Sequence, residues 1–135
     1  MPSAAAKKLR PKYLSLPAIL FQIRLPPAGW VSILHRVSGA LLVLPFTAWI
    51  LYLLDASLAS EQGFARVKDH YLQLPVVKLA ALVLIWALCH HLCAGIRYLL
   101  IDLHIGVDLP SARYSAWLVL AAGLLLTALF ATRLL

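Results

Sequence analysis

Residues 79–96 read LAALVLIWALCHHLCAGI, eighteen positions between Lys78 and Arg97 without one Asp, Glu, Lys or Arg. At a rise of about 1.5 Å per residue, such a run wound as a helix covers most of a hydrocarbon layer ~30 Å thick. Working outward, two similar runs flank it. Residues 37–54 give eighteen uncharged positions between Arg36 and Asp55, and residues 114–132 give nineteen between Arg113 and Arg133. The whole 135-residue chain is 63% hydrophobic and 13% charged, against about 25% charged residues in a soluble domain. That composition excludes a disordered chain, an ordinary water-soluble enzyme and a disulfide-stapled secreted scaffold. The expected fold is all-α: an integral membrane protein with three transmembrane helices. These are expected over 28–54, 74–101 and 111–135, joined by loops 55–73 and 102–110 and preceded by a basic tail and interfacial segment, 1–27.

The net charge of +7 belongs to tails and loops of this apolar chain, which reads as membrane orientation and not as a nucleic-acid surface. Lys7, Lys8, Arg10, Lys12, Arg24 and Arg113 fall on one side, while Arg66, Lys68 and Arg133 fall on the other. The richer side faces the cytoplasm, so the N-terminus is expected inside and the C-terminus outside. The first long apolar run starts too late and runs too long for a secretory signal, and the short basic tail lacks the character of a transit peptide. Together these point to a bacterial inner membrane. Pro17, Pro26 and Pro27 make the entry segment irregular or interfacial until Pro27 opens the first helix. Pro45 is expected to kink that helix. The second loop, 55–73, is mixed in charge and has room for a short interfacial helix. Cys89 and Cys93, one turn apart on one rod, read as packing residues.

Polar side chains at membrane depth are costly and are where function is sought. The first group is Ser32-Ile33-Leu34-His35-Arg36-Val37-Ser38-Gly39. Ser32, His35, Arg36 and Gly39 share one helical face. A hydroxyl beside a cation suits a quinone, whose carbonyl oxygens need donors as negative charge develops on reduction. The plain alternative is an arginine that snorkels to the headgroups and a histidine held by an interhelical hydrogen bond. The second group is His90-His91-Leu92-Cys93-Ala94-Gly95-Ile96-Arg97-Tyr98, followed by Asp102. His91, Gly95, Tyr98 and Asp102 form a stripe. An imidazole with a glycine one turn on leaves a flat gap beside a metal ligand, as a porphyrin requires. His90 points about 100° away and reads as a packing residue. The antiparallel topology puts Arg36 and Arg97 in one leaflet with no acidic residue inside the apolar cores. Haem propionates or an acid from a partner subunit would balance them.

At these residues the chain resembles the large cytochrome b anchor subunits of succinate dehydrogenase, or respiratory complex II. One signature is Arg10-Pro11 followed by Ser32-x-x-His35-Arg36-x-Ser38-Gly39. The other is His91-x-x-x-Gly95-Ile96-Arg97-Tyr98-Leu99 followed by Asp102. Lys12, Tyr98 and Ile101 depart from the usual residues; position 98 is more often histidine. The resemblance implies a heteromeric helix bundle binding haem b, with His91 as one axial ligand and a smaller anchor subunit supplying the other. It implies that Ser32 and Arg36 line the ubiquinone site with Ile33 as its apolar wall. It further implies that His35 and Arg36 reach the haem propionates. Arg97 is expected in the same pocket from its leaflet. The implied partners are membrane lipid, an iron–sulfur subunit and a flavoprotein subunit, which holds the succinate chemistry; this chain is not an enzyme alone. Two other readings stay open: the anchor of a quinol:fumarate reductase, or a non-redox scaffold or small transporter.

Overall fold

The computed structural model describes residues 15, 17 and 24–134; the basic tail with Arg10-Pro11 lies outside them. Among the described residues all regular structure is helical. Helix α1, Pro27–Leu41, begins where Pro26 is extended (φ −67°, ψ 159°) and Pro27 occupies the first turn, a position at which the missing N–H costs nothing. It runs into a π-helical turn, Leu42–Phe46, and then α2, Thr47–Leu58. The expected disturbance at Pro45 therefore takes the form of a wider turn. The ring cannot donate to the preceding turn, and the local π pattern reassigns the carbonyls. Thr47 Oγ1 adds a donation to the Leu42 carbonyl at 3.1 Å.

The segment after Leu58 holds a short helix, α3 (Glu61–Asp69), capped by Ser60, whose hydroxyl accepts from Gly63 N at 3.0 Å. A Cβ on Gly63 would collide with the Ala56 carbonyl oxygen, so glycine lets α3 fold back tightly on α2. A 3₁₀ turn, Tyr71–Gln73, leads into α4, Pro75–Asp102, again opened by proline. The turn to α5 (Leu109–Leu134) passes through His104 (φ 61°) and Gly106 (φ 71°). The His104 and Ile105 amides close the end of α4 by donating to Ile101 and Leu100 carbonyls at 2.8 and 2.9 Å.

Contacts fix the topology. Gly39 meets His91 and Trp49 meets Tyr71, so the α1–α2 rod and α4 run antiparallel. His90 meets Gly123 and Arg97 meets Ser115, so α4 and α5 also run antiparallel. The shared core is small: Val31, Ala94, Ala116 and Val119. Small residues allow close backbone approach where burial in lipid supplies little driving force. Most large apolar side chains of the three rods face outward. The helices Pro27–Leu58, Pro75–Asp102 and Leu109–Arg133 are 32, 28 and 25 residues long and apolar enough to cross a membrane. This is a multi-pass membrane protein.

Candidate functional site

Helix α4 presents two different polar faces because His90 and His91 diverge by about 100°. His91, Gly95 and Tyr98 turn toward α1. The His91 ring stacks on His35 with centroids 4.1 Å apart and planes 20° from parallel. Its Nδ1 sits 3.1 Å from the His35 carbonyl and 3.2 Å from Ser38 Oγ. A carbonyl only accepts, so this nitrogen carries the proton. Ser38 is fully buried, and its own hydroxyl donates to the same carbonyl at 2.9 Å. The network thus selects one tautomer and leaves the Nε2 lone pair without a hydrogen bond among the described residues. That is how protein-bound metals meet histidine: the far nitrogen is tethered to a backbone oxygen, which orients the ring and raises its basicity.

One glycine borders this ring, and a second faces the stacked His35 ring. A Cβ on Gly39 would stand 3.0 Å from His91 Cε1, so glycine is needed for α1 to pass the imidazole. A Cβ on Gly95 would find only His35 Nε2, at 3.9 Å. Nothing in the chain's own packing demands glycine there, and a flat ring edge does. The residues therefore fit a haem held by His91.

Toward the end of α4, Ser32, His35, Arg36 and Tyr98 line one pocket of about 260 Å³. Three of the four were expected in a ligand site; Ile33, half-buried on the same turn, is not among the lining residues. Tyr98 was not given a role from sequence. Its hydroxyl is buried without a partner, and its ring lies 5.2 Å from that of His35. Its place on the His91 stripe was the available signal. An orphaned buried hydroxyl beside such a pocket calls for a partner from outside the described residues.

Arg97 departs from expectation. It follows His91 by six residues, about 240° around the helix, and turns to α5. Nε donates to Ser115 Oγ at 3.0 Å and Nη2 to the Ala112 carbonyl at 3.2 Å. It does not join the pocket of Ser32, His35 and Arg36. His90 occupies the same α5-facing side, 1% exposed, stacked on Trp86 and pressed against the Gly123 backbone. Its Nε2 lacks a partner among the described residues, and the side chain is almost wholly enclosed. Cys89 and Cys93 are free thiols, and among the described residues no group of three or more His, Cys, Asp or Glu side chains forms a metal cluster. A haem differs from such a cluster in that a single imidazole of one chain can suffice to hold its iron.

Comparison with known proteins follows the same line. The model of the family described as succinate dehydrogenase/fumarate reductase transmembrane subunit matches residues 10–130. The succinate dehydrogenase cytochrome b556 subunit of Coxiella burnetii is 36% identical over 100 residues, covering 74% of this chain and 79% of that one. Its counterparts in Rickettsia typhi and Rickettsia prowazekii are 32% and 31% identical over 104 residues, covering 73% of this chain and 75% of each.

Proposed function

We propose, from the premise that this chain belongs to the succinate dehydrogenase/fumarate reductase transmembrane subunit family, that it anchors a succinate dehydrogenase in the membrane, ligates haem b through His91 and forms part of a ubiquinone-reduction site. The observation that supports the haem assignment is the His91 ring, tethered at Nδ1 to the His35 carbonyl, with Nε2 without a hydrogen bond among the described residues and open space over Gly95 one turn on. The cytochrome name of the relatives supports the same cofactor. A smaller anchor subunit would supply the other ligand to the haem iron, and iron–sulfur and flavoprotein partners would carry succinate oxidation. The membrane is a bacterial inner membrane with the N-terminus cytoplasmic.

Each residue has a defined task. His91 fixes the metal-facing nitrogen, and Ser38 with the His35 carbonyl holds its orientation. The His35 imidazole and the Arg36 guanidinium are placed to meet the propionates. When bound, haem b supplies a one-electron store close to the quinone. Ser32 and Arg36 donate hydrogen bonds to a quinone oxygen, where negative charge grows as two electrons and two protons convert quinone to quinol. A fixed cation in a low-dielectric site favours that charge build-up. Tyr98, which lines the same pocket and whose hydroxyl has no partner among the described residues, is a further donor. A scaffold or transporter needs none of these pairings. The named relatives favour the succinate-oxidising direction over fumarate reduction.

Arg36→Leu in the assembled complex tests the quinone assignment. Succinate oxidation linked to quinone should fall about tenfold or more, the equivalent of one charged hydrogen bond, with dye-linked oxidation unchanged. Equal loss of both overturns the assignment. His91→Leu should abolish the b-type absorbance, and an unchanged haem spectrum rejects His91 as ligand.

A further inference from the structure

Arg97 is 6% exposed, inside a membrane-spanning helix, and among the described residues no carboxylate is bonded to its guanidinium. The chain has five acidic residues, all among the described ones. Asp55, Glu61 and Asp69 belong to the opposite end of the bundle. Asp102 is exposed and lies five residues on, about 140° around α4 from Arg97. Asp108 accepts from Ser111 N at 3.0 Å at the start of α5. Among the described residues Arg97 therefore has only neutral acceptors, Ser115 Oγ and the Ala112 carbonyl, plus the Tyr98 ring 5.5 Å from Cζ. Of five guanidinium N–H donors, two are engaged. A buried cation is stable in a membrane when an anion or a strong dipole completes it, and two neutral acceptors hold the guanidinium in place without neutralising it.

The missing charge has a place to sit. Arg97 lines a cleft of about 500 Å³ between the end of α4 and the start of α5, on the side of α4 turned away from the His91 face. Ser115, Tyr114, Leu100, Leu118 and Cys93 are among its lining residues. Cys93 lies seven residues before Leu100, so the apolar trough runs about 10 Å along the helix. Arg97 itself lies five residues before the end of α4, about 7 Å below it, which is headgroup depth. Tyr114, Leu118 and Leu100 are 72, 53 and 43% exposed. The cleft thus has a cation at interfacial depth and an apolar trough leading into the bilayer.

We propose that this cleft binds an anionic phospholipid, its phosphodiester on the free N–H donors of Arg97 and the start of one acyl chain in the trough beside Leu100 and Leu118. Charge complementarity selects an anionic over a zwitterionic lipid, because Arg97 supplies a whole positive charge that no group among the described residues cancels. The inference is independent of the haem and quinone assignments, which concern the opposite face of α4.

The test uses the assembled complex, stripped of lipid in detergent and returned to nanodiscs of phosphatidylcholine alone or with phosphatidylglycerol. The wild-type complex should retain about one phosphatidylglycerol by native mass spectrometry, and the anionic lipid should raise its melting temperature where phosphatidylcholine does not. Arg97→Gln, which preserves donors toward Ser115 and Ala112, should weaken retention about tenfold or more with the haem spectrum unchanged. Retention equal to wild type overturns the proposal, as does a haem spectrum that shifts while retention stays the same. Should Arg97→Gln fail to assemble, Leu118→Trp fills the trough and leaves Arg97 intact; it must also lower retention. A photoreactive benzoylphenylalanine replacing Tyr114 in the wild-type background should cross-link to lipid. Cross-linking to another subunit instead shows that protein covers the cleft, and refutes the lipid.

Discussion

Substituting Gly95 by alanine separates the packing of the chain itself from the packing of a ring lodged between α1 and α4. In the chain alone, the new Cβ meets only His35 Nε2, at 3.9 Å, an ordinary contact that displaces nothing. Alanine in a helix interior is also favoured over glycine by roughly 0.5–1 kcal/mol. The unloaded fold should therefore keep or slightly raise its melting temperature. A porphyrin edge over the same spot would be struck by the methyl group. Overpacking of that size costs about 1–3 kcal/mol, which weakens haem binding about 5- to 150-fold. Haem per complex, measured by alkaline pyridine haemochrome on purified material, and the melting curve with and without haem are the two readouts. Fully retained haem with an unaltered reduced-minus-oxidised spectrum would refute the argument: no ring would then pass Gly95, and His91 would lose its supporting geometry.

Gly39→Ala should act more severely and differently, since its Cβ would lie 3.0 Å from His91 Cε1 even without a cofactor. The imidazole must shift by a few tenths of an ångström, stretching its Nδ1 contacts, so both melting temperature and haem content should fall; a loss confined to haem would contradict this. Gly123→Ala places a Cβ 3.3 Å from His90 Cα, a backbone atom that cannot swing aside. It should lower stability by about 1–3 kcal/mol and leave the haem spectrum untouched, as differential scanning calorimetry and absorbance would show. At the start of α5, the Ser111 amide and then its hydroxyl hold the Asp108 carboxyl below its ordinary value. A depressed folded value means the charged cap stabilises above the normal carboxylate range and loses that effect as pH falls through the folded value. The gap in melting temperature between wild type and Asp108→Asn should therefore narrow from neutral pH to below about 4, the wild type losing more.

How far the sequence was legible depended on whether one helix or two decided the answer. The three charge-free runs specify long rods by themselves, and the structure contains them. The stripe of His91, Gly95 and Tyr98 and the face of Ser32, His35 and Arg36 follow from the 100° step of a single helix, and the structure brings these faces together. The tether from His91 to Ser38 and the His35 carbonyl was not legible, because it depends on the register that sets Gly39 opposite His91. Arg97 was placed from its depth along α4 without its angle around it; six residues from His91 carry it to α5. Pro45 signalled a disturbance but could not say that a π turn would absorb it.

That π turn has an effect beyond accommodating a proline. Widening one turn adds close to one residue to the helical repeat, which advances the phase of everything after Phe46 by about 100°. A single rod thereby offers differently aimed surfaces in its two halves. Upstream, His35, Ser38 and Gly39 address the middle of α4. Downstream, Trp49 donates its indole N–H to the Tyr71 hydroxyl at 3.2 Å, and Tyr52 sets its ring edge-on to Tyr71, at the far mouth of the bundle. Reading the first span as one uninterrupted heptad would misalign one half or the other. Deleting a single residue within Leu42–Phe46 would bring both halves into step and swing the tyrosine corner away from its partner, while the imidazole pair kept its place.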